Sequence, residues 1–177
     1  RGFFRSGTGR FPTNTVPGGA ETTPEDINRR RQVVGHFTQL QANGDPLVRG
    51  FLLDARGLRV LDNPLGGFYT LPQAMNDSGT IVGWFGGPEG DDPRHGFVLR
   101  GSRWTAVNYP GANQTYLTGV ASNGTIVGYA VLFGQDPPEV GFVYHKGTFR
   151  KLPPAFQPYG VNRAGKIVGV LAAPIAR

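Results

Sequence analysis

Two short motifs recur four times, in phase, along the chain. Ile/Val-Val-Gly stands at Val33-Val34-Gly35, Ile81-Val82-Gly83, Ile126-Val127-Gly128 and Ile167-Val168-Gly169. Gly-Phe stands at Gly2-Phe3, Gly50-Phe51, Gly96-Phe97 and Gly141-Phe142, with successive pairs 48, 46 and 45 residues apart by subtraction. Two motifs that keep step over four periods define a repeat architecture, and the period bounds what each unit can fold into. The 28 glycines and 15 prolines among 177 residues would suggest disorder without such a period. Here they punctuate turns.

Each unit follows one plan. Gly-Phe opens an apolar strand A, a glycine-containing turn follows at Ser6-Gly7, Arg56-Gly57, Arg100-Gly101 or Lys146-Gly147, and strand B carries a bulky residue at Phe11, Leu58, Trp104 or Phe149. A link with Pro17, Pro64, Pro110 or Pro153 leads to strand C, which ends near Ile27, Met75, Val120 and Val161. A second tight turn then enters strand D, the Ile-Val-Gly segment. Gly79, Gly124 and Gly165 share one slot of that turn, where a positive φ is expected, and Arg31 occupies it in the first unit. That first turn is therefore expected to be strained, remodelled or irregular.

Strands A and D are apolar on both alternating faces, as at Phe97-Val98-Leu99. A strand buried on both faces needs a packed layer on each side. About 45 residues with four short strands is the size of a propeller blade. The expectation is a single all-β domain over residues 1–177, with repeats at 1–48, 49–94, 95–139 and 140–177, forming a four-bladed β-propeller. The chain runs from a strand A to a strand D, so pairing of the N- and C-terminal strands would close the ring and remove its open edges. A β-solenoid is the rival architecture.

The pattern Asn-x-x-Gly-x-Ile-Val-Gly at Asn76–Gly83, followed by His95-Gly96-Phe97, resembles the HAF-repeat family of bacterial extracellular proteins, and Asn162–Gly169 matches equally well. The family triplet His-Ala-Phe reads here as Arg1-Gly2-Phe3, Arg49-Gly50-Phe51, His95-Gly96-Phe97 and Val140-Gly141-Phe142. The resemblance implies propeller-like repeats and a secreted or cell-surface location. It implies no activity.

Several chemistries have little footing. With no cysteine, disulfides and thiol catalysis are excluded. The three histidines, His36, His95 and His145, occupy unlike slots of the repeat, which argues against a shared metal. Ser6, Ser78, Ser102 and Ser122 lie in or beside predicted turns, outside any nucleophile elbow. No phosphate-cradling glycine loop precedes a helix, so a nucleotide cofactor is not expected. No apolar run reaches the length of a membrane-spanning helix. A net charge of +6 is compatible with a solvated surface or with an anionic partner such as an acidic polysaccharide; nucleic acid is disfavoured.

Two candidate sites remain. The D–A loops each carry Asp-Pro, at Asp45, Asp92 and Asp136. These aspartates initiate turns or, with Glu89, Asp91 and Glu139, form an acidic rim suited to calcium. His36, Trp84 and Tyr129 share the slot after the strand D glycine, with Val170 as fourth member. They pack blades together or form a platform on which sugar rings stack, which Tyr69, Tyr109, Tyr116 and Tyr159 would enlarge. Arg49 and His95, with Arg1, occupy the slot before Gly-Phe and could face an anionic ligand.

The function expected is a non-catalytic extracellular ligand-binding or adhesion module that recognises a glycan or cell-surface polymer. The alternatives are an enzyme at the axial mouth, using Asp91 or Asp92 with an arginine, and a structural subunit of a surface assembly. An exposed aromatic cluster would favour the first, and convergent buried acids the second.

Overall fold

The two recurring motifs meet in one rung of a β-ladder. Gly35 pairs with Phe51, Gly83 with Phe97 and Gly128 with Phe142. The three phenylalanines are fully buried. A Cβ on Gly35, Gly83 or Gly128 would lie 2.1 Å from the carbonyl oxygen of Thr23, Leu71 or Tyr116 on the adjoining strand C. Glycine is needed there because strand D, flanked by strands C and A, is pressed against a backbone where no side chain fits.

The computed structural model describes residues 2–3, 13–14, 16, 18–87, 92–135 and 138–171. Its strands are β1 (Gly2–Phe3), β2 (Thr13–Asn14), β3 (Glu21–Ile27), β4 (Val33–Leu40), β5 (Pro46–Asp54), β6 (Gly57–Leu61), β7 (Tyr69–Met75), β8 (Ile81–Gly86), β9 (Arg94–Arg100), β10 (Arg103–Val107), β11 (Gln114–Val120), β12 (Ile126–Val131), β13 (Glu139–His145), β14 (Thr148–Lys151), β15 (Phe156–Val161) and β16 (Ile167–Leu171). Strands β3–β6, β7–β10 and β11–β14 each form an antiparallel unit in the order C-D-A-B. The chain is all-β among the described residues.

The closed propeller is not what these units build. They join into one 12-stranded mixed sheet, with β1–β2 and β15–β16 as separate two-stranded sheets. The joints are single parallel rungs, Val48 with Tyr69 and Arg94 with Gln114. The short B–C links, residues 62–68 and 108–113, return each strand C alongside the start of the preceding strand A, so neighbouring units merge instead of standing as separate blades. Nor do the terminal strands pair among the described residues: β1 pairs with β2, and β16 pairs there with β15 alone. Val168, Val170 and Leu171 of β16 are accordingly exposed, whereas Val34, Val82 and Val127, in the slot of Val168, are fully buried.

Within the sheet, strands A and D bury both faces, as expected. Phe97, Val98 and Leu99 on β9 and Ile81, Val82 and Phe85 on β8 are all core residues. At ~25 cal/mol per Å² of apolar surface, each such side chain contributes about 1.5–3 kcal/mol. The strand C segments lie on the inner edge, packed in succession: β3 on β7, β7 on β11 and β11 on β15. They are tied to each other by side chains. Asp26 accepts from the backbone N–H of Met75 at 2.8 Å, Asn28 donates to the carbonyl of Asn76, Asn76 donates to the carbonyl of Ala121, and the Thr118 hydroxyl donates to the carbonyl of Pro158 at 2.7 Å.

The turn between strands C and D behaves as expected. Gly79, Gly124 and Gly165 have φ of 85°, 83° and 76°, and Arg31 is held at 60° in the same slot. Each of these residues donates its N–H to a carbonyl three residues back, that of Asn28, Asn76, Ala121 or Asn162.

Candidate functional site

Each strand C is broken by a bulge at the same place. The register shifts between Pro24 and Asp26, Pro72 and Ala74, Leu117 and Gly119, and Pro158 and Gly160. The unpaired residue is Glu25, Gln73, Thr118 or Tyr159. Proline, which cannot donate to a ladder, is tolerated on an inner edge strand at a bulge. A bulge re-aims its side chain, and here all four re-aimed residues line a single recess of about 290 Å³. Asp26, Ala74, Gly119, Gly160, Val120 and Val161 complete its wall.

The four repeats thus bring a carboxylate, an amide, a hydroxyl and a phenol to one place. Tyr159 is 54% exposed, and Glu25 is half-buried. Burial pushes the Glu25 carboxyl above its usual range. Asp26 is also pushed up by burial, opposed by the hydrogen bonds it accepts from the N–H groups of Met75 and Ile27. His36 stands behind Glu25, with Nδ1 3.3 Å from Oε1. That Nδ1 is buried and makes no hydrogen bond among the described residues. Burial lowers the His36 pKa and the charge of Glu21 partly restores it, so His36 is a neutral imidazole at neutral pH.

A second recess, of about 190 Å³, shares Val120 and Val161 with the first and is ringed by the C–D turns, with Asn28, Asn76, Asp77, Ser122 and Arg163 in its wall. Arg29 pairs with Asp77 across its rim, at 2.6 Å.

The aromatic slot resolves into two parts. Trp84 and Tyr129 both pack on Tyr116, Trp84 edge-on at 5.4 Å and Tyr129 stacked at 4.6 Å. Arg94 lies 5.0 Å from the Trp84 ring centroid, and its Nη1 donates to the Tyr116 hydroxyl at 2.7 Å. That hydroxyl donates to Gln114. Burial, helped by the nearby Tyr116 and Glu139, pushes the Tyr129 phenol up to about 12. This cluster joins two repeats, with Tyr116 buried at its centre. His36 contacts Glu25 instead. Tyr109 is a core residue stacked on Phe142 at 5.4 Å and edge-on to Phe149. Arg49 pairs with Asp62 and donates to Gln39, and His95 packs against Phe85 at 5.2 Å.

Asp45 accepts from the side chain of Asn43 at 2.7 Å, and its own N–H donates to the Asn43 side-chain Oδ1, a local turn. The Asp92 backbone carbonyl accepts from Gln114 at 3.1 Å. Asp136 and Asp91 lie outside the described residues. Among the described residues, no three His, Asp or Glu side chains are grouped to hold a metal ion.

Sequence reasoning missed Glu25, Gln73 and Thr118 and named Tyr159 only as an accessory ring. The available signal was mid-strand proline: Pro24, Pro72 and Pro158 each immediately precede a bulged residue. No family model and no curated protein matches the chain, so its chemistry is read from the site itself.

Proposed function

We propose that this protein is a non-catalytic, extracellular ligand-binding module of HAF-repeat type, and that it holds a glycan in the recess between the four bulges. The carrying observation is the convergence of Glu25, Gln73, Thr118 and Tyr159 on one recess. Carboxylate and amide groups hydrogen-bond the paired hydroxyls of a sugar, and a half-exposed tyrosine offers an apolar face with a polar tip. Two acids converge here, the arrangement that an enzymatic site would show. Asp26, however, gives one oxygen to Met75 and the other to Ile27. Glu25, beside His36, is left as the single carboxyl of the recess without a backbone hydrogen bond, whereas glycoside hydrolysis by the common routes uses a pair.

The test is a binding screen of neutral oligosaccharides, followed by titration of Gln73→Ala and Tyr159→Ala variants. Loss of the tyrosine face is expected to weaken binding about tenfold with the melting temperature unchanged, because the side chain is largely exposed. Full affinity in the double variant overturns the assignment of the recess. Hydrolysis of a ligand that stops in Glu25→Gln would replace binding by catalysis.

A further inference from the structure

The alternating strand directions sort the charges of this chain. In a C-D-A-B unit the C–D and A–B turns lie at one end of the strands, and the D–A loops and B–C links at the other. A contact of 3.2 Å between Thr125, in a C–D turn, and His145, at an A–B turn, shows the two turn types side by side. The C–D turns carry Arg29, Arg30, Arg31, Arg163 and Lys166. The A–B turns described carry Arg56, Arg100, Arg103 and Lys146. All nine are exposed. Only two acids accompany them, and both are engaged, Asp77 by Arg29 and Asp54 by Arg59. Nine minus two is +7 in these turns, against +6 for the whole chain. The opposite end holds Glu21, Asp45, Asp62, Asp92 and Glu139, with Arg49, Arg94 and Lys151.

Backbone conformation adds an independent observation. Among the described residues three non-glycines have positive φ, and two of them are cations of these turns, Arg31 at 60° and Lys146 at 47°. Glycine fills the Arg31 slot in the other three repeats without strain. A left-handed arginine costs about 1 kcal/mol, so the position is occupied against its local preference and presents a guanidinium beside Arg29 and Arg30.

We infer that the turn-bearing end of the protein binds an acidic polysaccharide, one whose sugars carry carboxylate or sulfate groups. Exposed arginines and lysines meet such groups by charge-assisted hydrogen bonds, two at a time for arginine. The seven turns contain no Phe, Trp or Tyr, so they lack the stacking surface on which single-stranded nucleic acid is held. The inference is independent of the neutral-glycan recess, whose Glu25 and Asp26 repel anions.

The experiment is titration of the whole protein with polygalacturonate, dextran sulfate, uncharged dextran and a DNA duplex at two salt concentrations. Binding to either acidic polysaccharide is expected, with steep weakening by salt, and no binding to dextran. Arg31→Gly is expected to weaken that binding severalfold while raising the melting temperature, a split that a purely structural role would not produce. Arg100→Ser with Arg103→Ser should weaken it at unchanged stability, and Tyr159→Ala should leave it intact. Binding that ignores the arginine variants, or that is as tight for DNA as for the polysaccharides, overturns the proposal.

Discussion

The side-chain amide of Asn28 donates to the backbone carbonyl of Asn76, 3.2 Å away and one repeat further on. Asn76 repeats the gesture toward the carbonyl of Ala121 at 3.0 Å. Each asparagine also closes its own turn: Asn28 accepts from the N–H groups of Arg30 and Gln32, and Asn76 from those of Ser78 and Thr80. One residue type therefore shapes the turn and staples it to its neighbour. The chain of staples stops at Ala121, which has no amide to pass on.

The energetic consequence is an ordered series. Asn76→Ala removes a buried amide that serves four partners and strands backbone groups away from water, so it is expected to cost about 2–3 kcal/mol. Asn28→Ala should cost somewhat less, because Gln32 remains nearby. Asn162 is exposed and accepts one described bond, from Lys166, so Asn162→Ala should cost under about 1 kcal/mol. Denaturant midpoints of the three variants check the order, and equal losses would refute the stapling role.

This asparagine was legible as half of its role. The spacing Asn-x-x-Gly marks a turn with a left-handed residue, and the turn is there. The link to the next repeat is a tertiary contact that no local pattern encodes. The same division runs through the fold. Alternation of apolar residues located strands A and D, because burial on both faces leaves a continuous apolar run. Strand C has an extended ladder on one side only, with at most a single parallel rung on the other, and its bulge breaks the period of two, so periodicity could not show that Glu25, Gln73, Thr118 and Tyr159 face one recess. Closure of the ring was inferred from a repeat that runs from a strand A to a strand D, whereas the described units merge through single parallel rungs into one sheet.

Two glycines of one repeat separate conformational from steric need. Gly79 has a φ of 85° and open space where a Cβ would stand. Gly79→Ala should therefore cost about 1 kcal/mol, the strain of a left-handed residue. Gly83→Ala would place a Cβ 2.1 Å from the Leu71 carbonyl oxygen. The sheet would have to open, at about 3 kcal/mol or more. Thermal unfolding of the pair checks the contrast.

Acid should expose the burial of His36. Its folded pKa lies below the usual 6.5, so the unfolded chain binds the proton first and stability falls as pH drops through about 6.5. Glu25 and Asp26 are raised. There the folded state binds the proton first, and their contribution is lost as pH rises through the folded values. The interval from pH 7 to about 5.5 spans the ordinary histidine value and lies above the ordinary carboxylate values. Wild type should lose melting temperature over that interval, and His36→Gln should flatten the slope. An equal slope in both proteins would place the titrating group elsewhere.

The open edge of β16 supplies the test of architecture. Val82 is fully buried between strands C and A, whereas Val168, in the same slot, is 66% exposed. Truncating the buried side chain leaves a cavity in a filled core, so Val82→Ala is expected to cost about 2–3 kcal/mol. Val168→Ala removes atoms already in water and should stay within about 0.5 kcal/mol of wild type. A ring closed over β16 would bury Val168 as Val34, Val82 and Val127 are buried, and the two variants would then lose similar stability. Unequal losses in urea denaturation match an edge that no described strand covers.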